Sequence, residues 1–199
     1  MNRNKALFST KNMTTMAILA GISALLFMIE IPVVWVYKLD LSHLPVLLGT
    51  FSMGPVAGLC ILAVMSSLGL LHSTTQGVGE LADFLMGVAM AIPSGWIYLR
   101  QKTRKGAILS MVVGTLCAVV VGFFLNIYLM IPFFSAVYKL PVESIIAQGQ
   151  AIVPFVHNVW EFVLYITTPF NLLKWTVIST IGALIYKPLS PLLRGKNKR

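Results

Sequence analysis

The chain has 199 residues, of which 57% are hydrophobic and only 11% charged, and its formal net charge is +9. Soluble domains carry about 25% charged residues, and a chain of this length has too small an interior to bury so much apolar surface. The composition therefore excludes an ordinary soluble protein and predicts a protein embedded in a membrane. We expect one domain over residues 1–199, because neither an internal repeat nor a low-complexity tract divides the chain.

The positive charge lies in three clusters that flank the apolar stretches and contain no acidic residue. Such clusters are typical of the cytoplasmic side of a multi-pass membrane protein and attract anionic lipid. Their placement favours lipid over nucleic acid as their partner, and we expect cytoplasmic tails over about residues 1–11 and 190–199. The clusters are Arg3, Lys5 and Lys11; Arg100, Lys102, Arg104 and Lys105; and Lys187, Arg194, Lys196, Lys198 and Arg199.

Small residues line one side of the first apolar stretch, 13–31. Ala17, Ala20, Gly21 and Ala24 recur at helical spacing, and such stripes let another helix approach closely. The stripe predicts either a docking surface for a partner or packing within the same bundle. The stretch is too long for the apolar region of a cleaved signal peptide, so we expect it to remain as a span.

Between the first and second apolar stretches, polar and apolar residues alternate from Tyr37 to Pro45. This alternation predicts an extended strap. We expect His43 and His72 to be solvated loop residues rather than metal ligands. The sequence has three histidines, and no two of them have the spacing of metal ligands.

The second apolar stretch, 44–71, decides the topology. As one helix it gives five spans and places 101–105 opposite the N-terminus, whereas broken at Gly54-Pro55 it gives six spans and places every basic cluster on one side. Glycine followed by proline interrupts helices, and the charge distribution favours the same solution. We therefore predict an all-α membrane protein, a six-helix transmembrane bundle with a short second helix and an outward-facing binding cavity.

The remaining apolar stretches, 81–99, 107–134 and 169–189, are each long enough to cross a membrane. In the long segment between the last two, apolar residues recur at helical spacing over 142–152 and 156–165. We expect two short surface helices there.

Four polar side chains fall inside the predicted spans at a similar depth. Asp83 lies in the first turn of the fourth helix, Asn126 in the fifth, and Asn171 and Lys174 on one face of the last. Polar groups at this depth are costly and usually functional, so their grouping predicts a polar cavity. The alternatives are extension of Lys174 to the lipid headgroups and hydrogen bonds between helices. Glu80, one turn before Asp83, either joins the cavity or stabilises a helix N-terminus.

A lysine within a span has to meet an acid, a carbonyl group or a ligand, because an unpaired charge is costly in lipid. Asp83 is the acidic residue nearest to Lys174 in predicted depth. We therefore predict an ion pair between Lys174 and Asp83.

The sequence contains no recognisable catalytic motif. The phosphate-binding pattern G-x-x-x-x-G-K-[ST], the zinc pattern H-E-x-x-H and the nucleophile pattern G-x-S-x-G are all absent. These are the motifs of ATP hydrolysis, metal-assisted hydrolysis and nucleophilic catalysis. We therefore expect no enzymatic activity, no metal and no cofactor.

Five segments, taken in their order along the chain, resemble the substrate-binding (S) components of energy-coupling factor (ECF) transporters, and in particular the riboflavin-binding branch of these components. They span nearly the whole chain, and Pro169-Phe170-Asn171-x-x-Lys174 is the most specific of them. The other four are Lys38-Leu39-Asp40-Leu41-Ser42, Gly54-Pro55-x-x-Gly58, Gly79-Glu80-Leu81-Ala82-Asp83-Phe84, and Asn126 followed by Ile131-Pro132.

The resemblance implies a six-helix fold, a cavity near the outer face and a loop after the first helix that closes over a vitamin. It implies that the small-residue face of the first helix docks on a transmembrane coupling subunit driven by two ABC ATPases. Riboflavin is then the transported substrate. The substrate contacts implied are Leu39, Asp40, Leu41, Glu80, Asp83, Asn126, Asn171 and Lys174.

Three residues, in two places, depart from the riboflavin-binding pattern. Met65-Ser66 stands where relatives often carry Lys-Asn, and Asp83 stands in place of an asparagine. The cavity thereby loses one cation and gains one acid, which disfavours a phosphorylated flavin. Another vitamin such as cobalamin stays open, as does a scaffold protein without transport activity. An autonomous ion-coupled transporter requires broken helices in matching repeats, and only one apolar stretch is broken.

Overall fold

The computed structural model describes residues 9–34 and 37–194, with side chains for 9–33 and 37–186. Most of the two predicted tails, 1–8 and 195–199, lies outside the described residues. Two antiparallel strands, β1 Ile31–Val34 and β2 Tyr37–Leu39, form the one hairpin of the described chain. The helices are α1 Thr10–Phe27, α2 His43–Met53, α3 Pro55–Gly69, α4 Val78–Arg100, α5 Arg104–Leu125, α6 Ile131–Tyr138, α7 Val142–Gln150, α8 Val159–Phe162 and α9 Thr168–Arg194.

The predicted all-α bundle is confirmed, and its six main helices are α1 to α5 and α9. The helical segments long and apolar enough to cross a membrane include Thr10–Phe27, Pro55–His72, Val78–Arg100 and Arg104–Tyr138. Large apolar side chains recur every four residues along one face of α5, and each of them is about half exposed. Lipid is the natural contact of such a face, because water would disfavour a continuous apolar stripe. These side chains are Ile108, Val112, Leu116 and Val120.

The break between α2 and α3 falls at Gly54, as predicted. Gly54 adopts φ 105°, which glycine tolerates and other residues rarely do. Pro55 then begins α3, where its missing N–H costs nothing. Nine of the eleven residues of α2 are buried, so neighbouring helices cover this short helix and it need not span the bilayer by itself.

The predicted strap after the first helix is extended only in part. β2 pairs with β1 through Ile31 opposite Leu39 and Pro32 opposite Lys38. The extended conformation ends before His43, because α2 begins there with Pro45 in its first turn. The hairpin lies across one end of the bundle, which we call the hairpin end.

The long segment before the last helix also differs from its prediction. α7 confirms the first surface helix, but 156–165 is not a second one. α8 begins at Val159, and the side chain of the preceding Asn158 caps the helix by accepting from the Glu161 amide at 2.9 Å. It continues through a π-helical segment, Val163–Thr167, directly into α9. A second π-helical segment, Asn126–Met130, joins α5 to α6.

Gly58, in the first turn of α3, provides a test of the packing between α2 and α3. A Cβ at this position would collide with Oγ1 of Thr50, which is held by a 2.8 Å hydrogen bond to the Val46 carbonyl. We expect Gly58→Ala to destabilise the purified protein by about 1–3 kcal/mol, because the added volume strains a closed contact. Gly21→Ala is the control, since nothing lies within 4 Å of a Cβ there. Equal thermal midpoints for the two variants would contradict this account.

Candidate functional site

A cavity of about 430 Å³ opens at the hairpin end of the bundle. Its walls come from the hairpin and from the ends of α4, α6 and α9, together with the π-helical segment after α5. Six of the eight residues predicted as substrate contacts line it: Asp40, Glu80, Asp83, Asn126, Asn171 and Lys174. The tertiary structure therefore brings together side chains that lie up to 134 positions apart in sequence.

Leu39 and Leu41 are the two predicted contacts that do not line this cavity. Asp40, which lies between the two leucines, is a lining residue. Leu41 packs instead against the buried core around Leu44 and Trp175. In this conformation, therefore, Leu39 and Leu41 support the hairpin and the core.

Lys174 forms the centre of the polar floor. Its Nζ donates to Oδ1 of Asp83 and to Oδ2 of Asp40, at 2.9 Å each. The predicted pair with Asp83 is thus present, but the second carboxylate was not foreseen as a partner. Lys174 is 5% exposed, so these contacts replace water for a charge inside the bundle.

His43 is buried, which contradicts its prediction as a solvated loop residue. It is 2% exposed, its ring packs edge-on against Trp175 at 4.7 Å, and its Nε2 lies 3.3 Å from Oδ2 of Asp83. The reason is that α2 starts at His43 and its first turn enters the bundle. Proline in the first turn of a helix was the available signal, at Pro45. His72 is exposed, as predicted.

The two asparagines differ in how their amides are occupied. Asn126 donates to the Gly122 carbonyl at 2.8 Å and accepts from the Tyr37 hydroxyl at 3.4 Å. The amide nitrogen of Asn171 has no hydrogen-bond partner among the described residues, although Asn171 is 4% exposed. A buried donor without a partner is costly; this nitrogen packs against Gly122, while Asn171 as a residue lines the cavity.

Tyr37 and Phe170 form an aromatic wall that the sequence interpretation missed. Their ring centroids are 5.2 Å apart, and both residues line the cavity. The Tyr37 hydroxyl also hydrogen-bonds Thr167, in the π-helical segment before α9. Burial raises the pKa of Tyr37 to about 12, so its hydroxyl keeps its proton at neutral pH. The alternating pattern around Tyr37 was the only sequence signal for this contact.

Glu80 lines the cavity but already has partners. Its carboxylate accepts from the hydroxyls of Ser73 and Thr75, at 2.8 Å each. These contacts fix the turn before α4, where Gln76 and Gly77 both adopt positive φ. Glu80 therefore shapes the cavity wall through the turn, and direct substrate contact by Glu80 stays a prediction.

The small-residue stripe of α1 divides between two faces. Ala17 and Gly21 are exposed, Ala24 is half-buried, and Ala20 is only 2% exposed. Ala20 packs in the cluster that joins α1 to α3, which includes Ala57 and Ile61. In this structure Ala20 serves internal packing, and the open part of the stripe is Ala17, Gly21 and the edge of Ala24.

The two carboxylates on Lys174 lead to a prediction about stability. We expect Lys174→Met to destabilise the ligand-free protein by about 3–5 kcal/mol, because it leaves two buried acids without their cation. Asp83→Asn should cost less, since Asp40 still pairs with Lys174. Combining Lys174→Met with Asp83→Asn should restore only part of the loss, because Asp40 stays unpaired. Thermal unfolding of the four proteins measures this, and additive losses in the double variant would contradict the cluster.

Comparison with known proteins places the chain in a family. The model of the family described as "ECF transporter, substrate-specific component" matches residues 11–186. A solved structure titled "Structure and mechanism of the S component of a bacterial ECF transporter" superposes with a TM-score of 0.71 at 28% identity. The match covers 92% of this chain and 97% of that one.

The curated relatives agree with this match. The riboflavin transporter RibU of Staphylococcus aureus (strain TCH60) is 28% identical over 187 residues, which cover 92% of this chain and 93% of the relative. The riboflavin transporter FmnP of Bacillus subtilis (strain 168) is 25% identical over 187 residues, covering 91% and 93%. Since the family model spans nearly the whole chain, the protein belongs to the substrate-specific components of ECF transporters.

Proposed function

We propose that this chain is the riboflavin-binding subunit of an ECF transporter and that the cavity at the hairpin end holds the vitamin. The convergence of Asp40, Asp83, Asn126, Asn171 and Lys174 on one cavity is the observation that carries the proposal. The similarity to proteins named riboflavin transporters supports it independently. The cavity volume of about 430 Å³ falls within the range of about 300–1,000 Å³ typical of small-molecule sites.

The chemistry of the walls suits a flavin ring. Riboflavin has a flat ring system with carbonyl oxygens along one edge, so it needs apolar faces and a few donors. Tyr37 and Phe170 offer the faces. Asn126 and Asn171 line the cavity with amide side chains, and Lys174 has three N–H groups, of which two bind carboxylates. The third N–H of Lys174 is available to a ring carbonyl.

The charges of the cavity favour a neutral vitamin over a phosphorylated one. Four acidic side chains line it against two cations, so a phosphate group would be repelled. Cobalamin, which the sequence left open, is a much larger molecule than riboflavin and fits this volume poorly. The lining acids are Glu30, Asp40, Glu80 and Asp83, and the cations are Lys38 and Lys174.

Transport requires energy that this chain has no motif to supply. As a substrate-specific component it works with other ECF components. We propose that it docks through the open stripe of α1 on a transmembrane coupling subunit driven by two ABC ATPases. With both termini in the cytoplasm, the hairpin end faces outward, and the Arg100–Lys105 cluster lies on the cytoplasmic side.

Substitution of the asparagines tests the site. We expect Asn126→Ala and Asn171→Ala each to weaken riboflavin binding by roughly tenfold or more, because a buried hydrogen bond is worth ~1–3 kcal/mol. Asn171→Ala should keep the thermal stability of the ligand-free protein, since its amide nitrogen has no partner there. Asn126→Ala should also loosen the hairpin by removing the Tyr37 contact. Fluorescence titration with riboflavin gives the dissociation constants.

Thr115→Val is the matched control for the asparagine variants. Thr115 on α5 hydrogen-bonds Ser179 on α9 at 3.0 Å, so it joins the same two helices away from the cavity. We expect its affinity for riboflavin to stay unchanged. Unchanged affinity in both asparagine variants would contradict their place in the site.

The open stripe of α1 gives a second functional prediction. Leucine at Ala17 or Gly21 should abolish riboflavin uptake by cells while the isolated chain still binds riboflavin, because a bulky side chain keeps a partner helix away. Ala63→Leu is the control, since Ala63 is exposed on α3. Ala20 is unsuitable, because a larger side chain there would disturb the packing of α1 on α3. Normal uptake by the Ala17 and Gly21 variants would contradict docking at this stripe.

A further inference from the structure

The charges of the ionisable side chains on the floor of the cavity do not sum to zero when each side chain is in its ordinary protonation state. The Lys174 ammonium contacts the carboxylates of Asp40 and Asp83, and His43 lies beside Asp83. With a neutral histidine, these four residues carry one uncompensated negative charge. None of the four is more than 9% exposed, so water does little to stabilise that charge and its cost is high.

The hydrogen bonds around His43 show the same shortage of a proton. Nδ1 lies 3.3 Å from Oγ of Ser42, whose single hydroxyl proton is donated to Asp40. Nε2 lies 3.3 Å from Oδ2 of Asp83, and neither of these two atoms has a further partner among the described residues. A neutral imidazole carries one proton. If Nε2 holds this proton, Nδ1 faces a lone pair of the Ser42 oxygen. If Nδ1 holds it, Nε2 faces a lone pair of the Asp83 oxygen.

One additional proton neutralises the uncompensated negative charge and also gives both nitrogens of His43 a hydrogen-bonded partner. We infer that His43 and Asp83 together hold one proton more than a neutral histidine and an ionised aspartate carry, placed on Nε2 or on Oδ2. Nδ1–H then donates to Ser42, the second proton bridges His43 and Asp83, and the floor is uncharged overall. His43 is thereby a positioning residue that fixes the carboxyl group of Asp83, and through it the ammonium of Lys174.

We place the additional proton on His43 and Asp83 because the neighbouring ionisable groups do not hold it. Burial by itself raises the pKa of Asp40, but Lys174 above all outweighs this effect and lowers the pKa to about 2, so Asp40 is ionised. Glu80, one turn along α4, is occupied by Ser73 and Thr75. From α9 the pair also meets Trp175, which is not titratable at physiological pH. Among the described residues, α3 has no acidic or basic side chain, and those of α1 and α5 (Lys11, Arg104 and Lys105) lie at the helix ends opposite the hairpin.

Spectroscopy on the ligand-free full chain tests the inference without reference to the proposed function. The probe is ¹⁵N-histidine in purified protein at neutral pH, with His72→Gln and His157→Gln to assign the signals of the three histidines. We expect His43 to show two protonated nitrogens, or the infrared spectrum to show a carboxylic acid band. Asp83→Asn should remove the acid band, or return His43 to a single protonated nitrogen, because the asparagine amide donates to Nε2 without an extra proton.

Two outcomes separate the alternatives. A doubly protonated His43, or an acid band that disappears in Asp83→Asn, supports the inference. A singly protonated His43 in the unmodified protein, together with no acid band that depends on Asp83, overturns it. Glu80→Gln serves as the comparison for the infrared measurement, since the Glu80 carboxylate is held by Ser73 and Thr75 and any acid band assigned to Asp83 should persist in that variant. Failure of riboflavin binding would leave this result unaffected, because no ligand is present.

Discussion

The ammonium of Lys174 and its two carboxylates hold the hairpin end of this protein together. A charge inside a bundle has to be neutralised locally, and here Asp40 and Asp83 do so at 2.9 Å each. Each residue of this cluster comes from a different part of the chain: the connection between β2 and α2, the first turns of α4, and α9. The electrostatic requirement of one lysine therefore fixes where the hairpin ends and how two long helices meet.

The hairpin is attached to this cluster at several points. Asp40 follows β2 directly, and Tyr37 in β2 reaches Asn126 and Thr167. Asn126 begins one π-helical segment and Thr167 ends the other. Such segments frequently occur at functional sites, because the wider turn redirects a side chain. Here both lie at the level of the cavity, where they aim one amide and one hydroxyl toward the hairpin.

The first helix, α1, contacts the cavity floor on one side and is exposed on the other. Ser23, on its inner side, donates to the carbonyl of Ser42, next to the residues that hold Lys174. On its outer side Ala17 and Gly21 are exposed, and nothing lies within 4 Å of a Cβ placed at Gly21. Small side chains suit close helix contact in a membrane, where apolar surface gives no hydrophobic driving force for association. The same helix thus supports the cavity floor and presents the surface suited to a partner.

Composition and local pattern determined the class of protein, the helical bundle, the break at Gly54 and the depth of Asp83, Asn126, Asn171 and Lys174, because hydropathy and chain-breaking residues act locally. Only the tertiary structure decided which groups meet. The second carboxylate on Lys174, the burial of His43 and the division of the α1 stripe at Ala20 depend on how helices rotate and approach one another. Those rotations follow from packing across the whole bundle, which no single segment encodes.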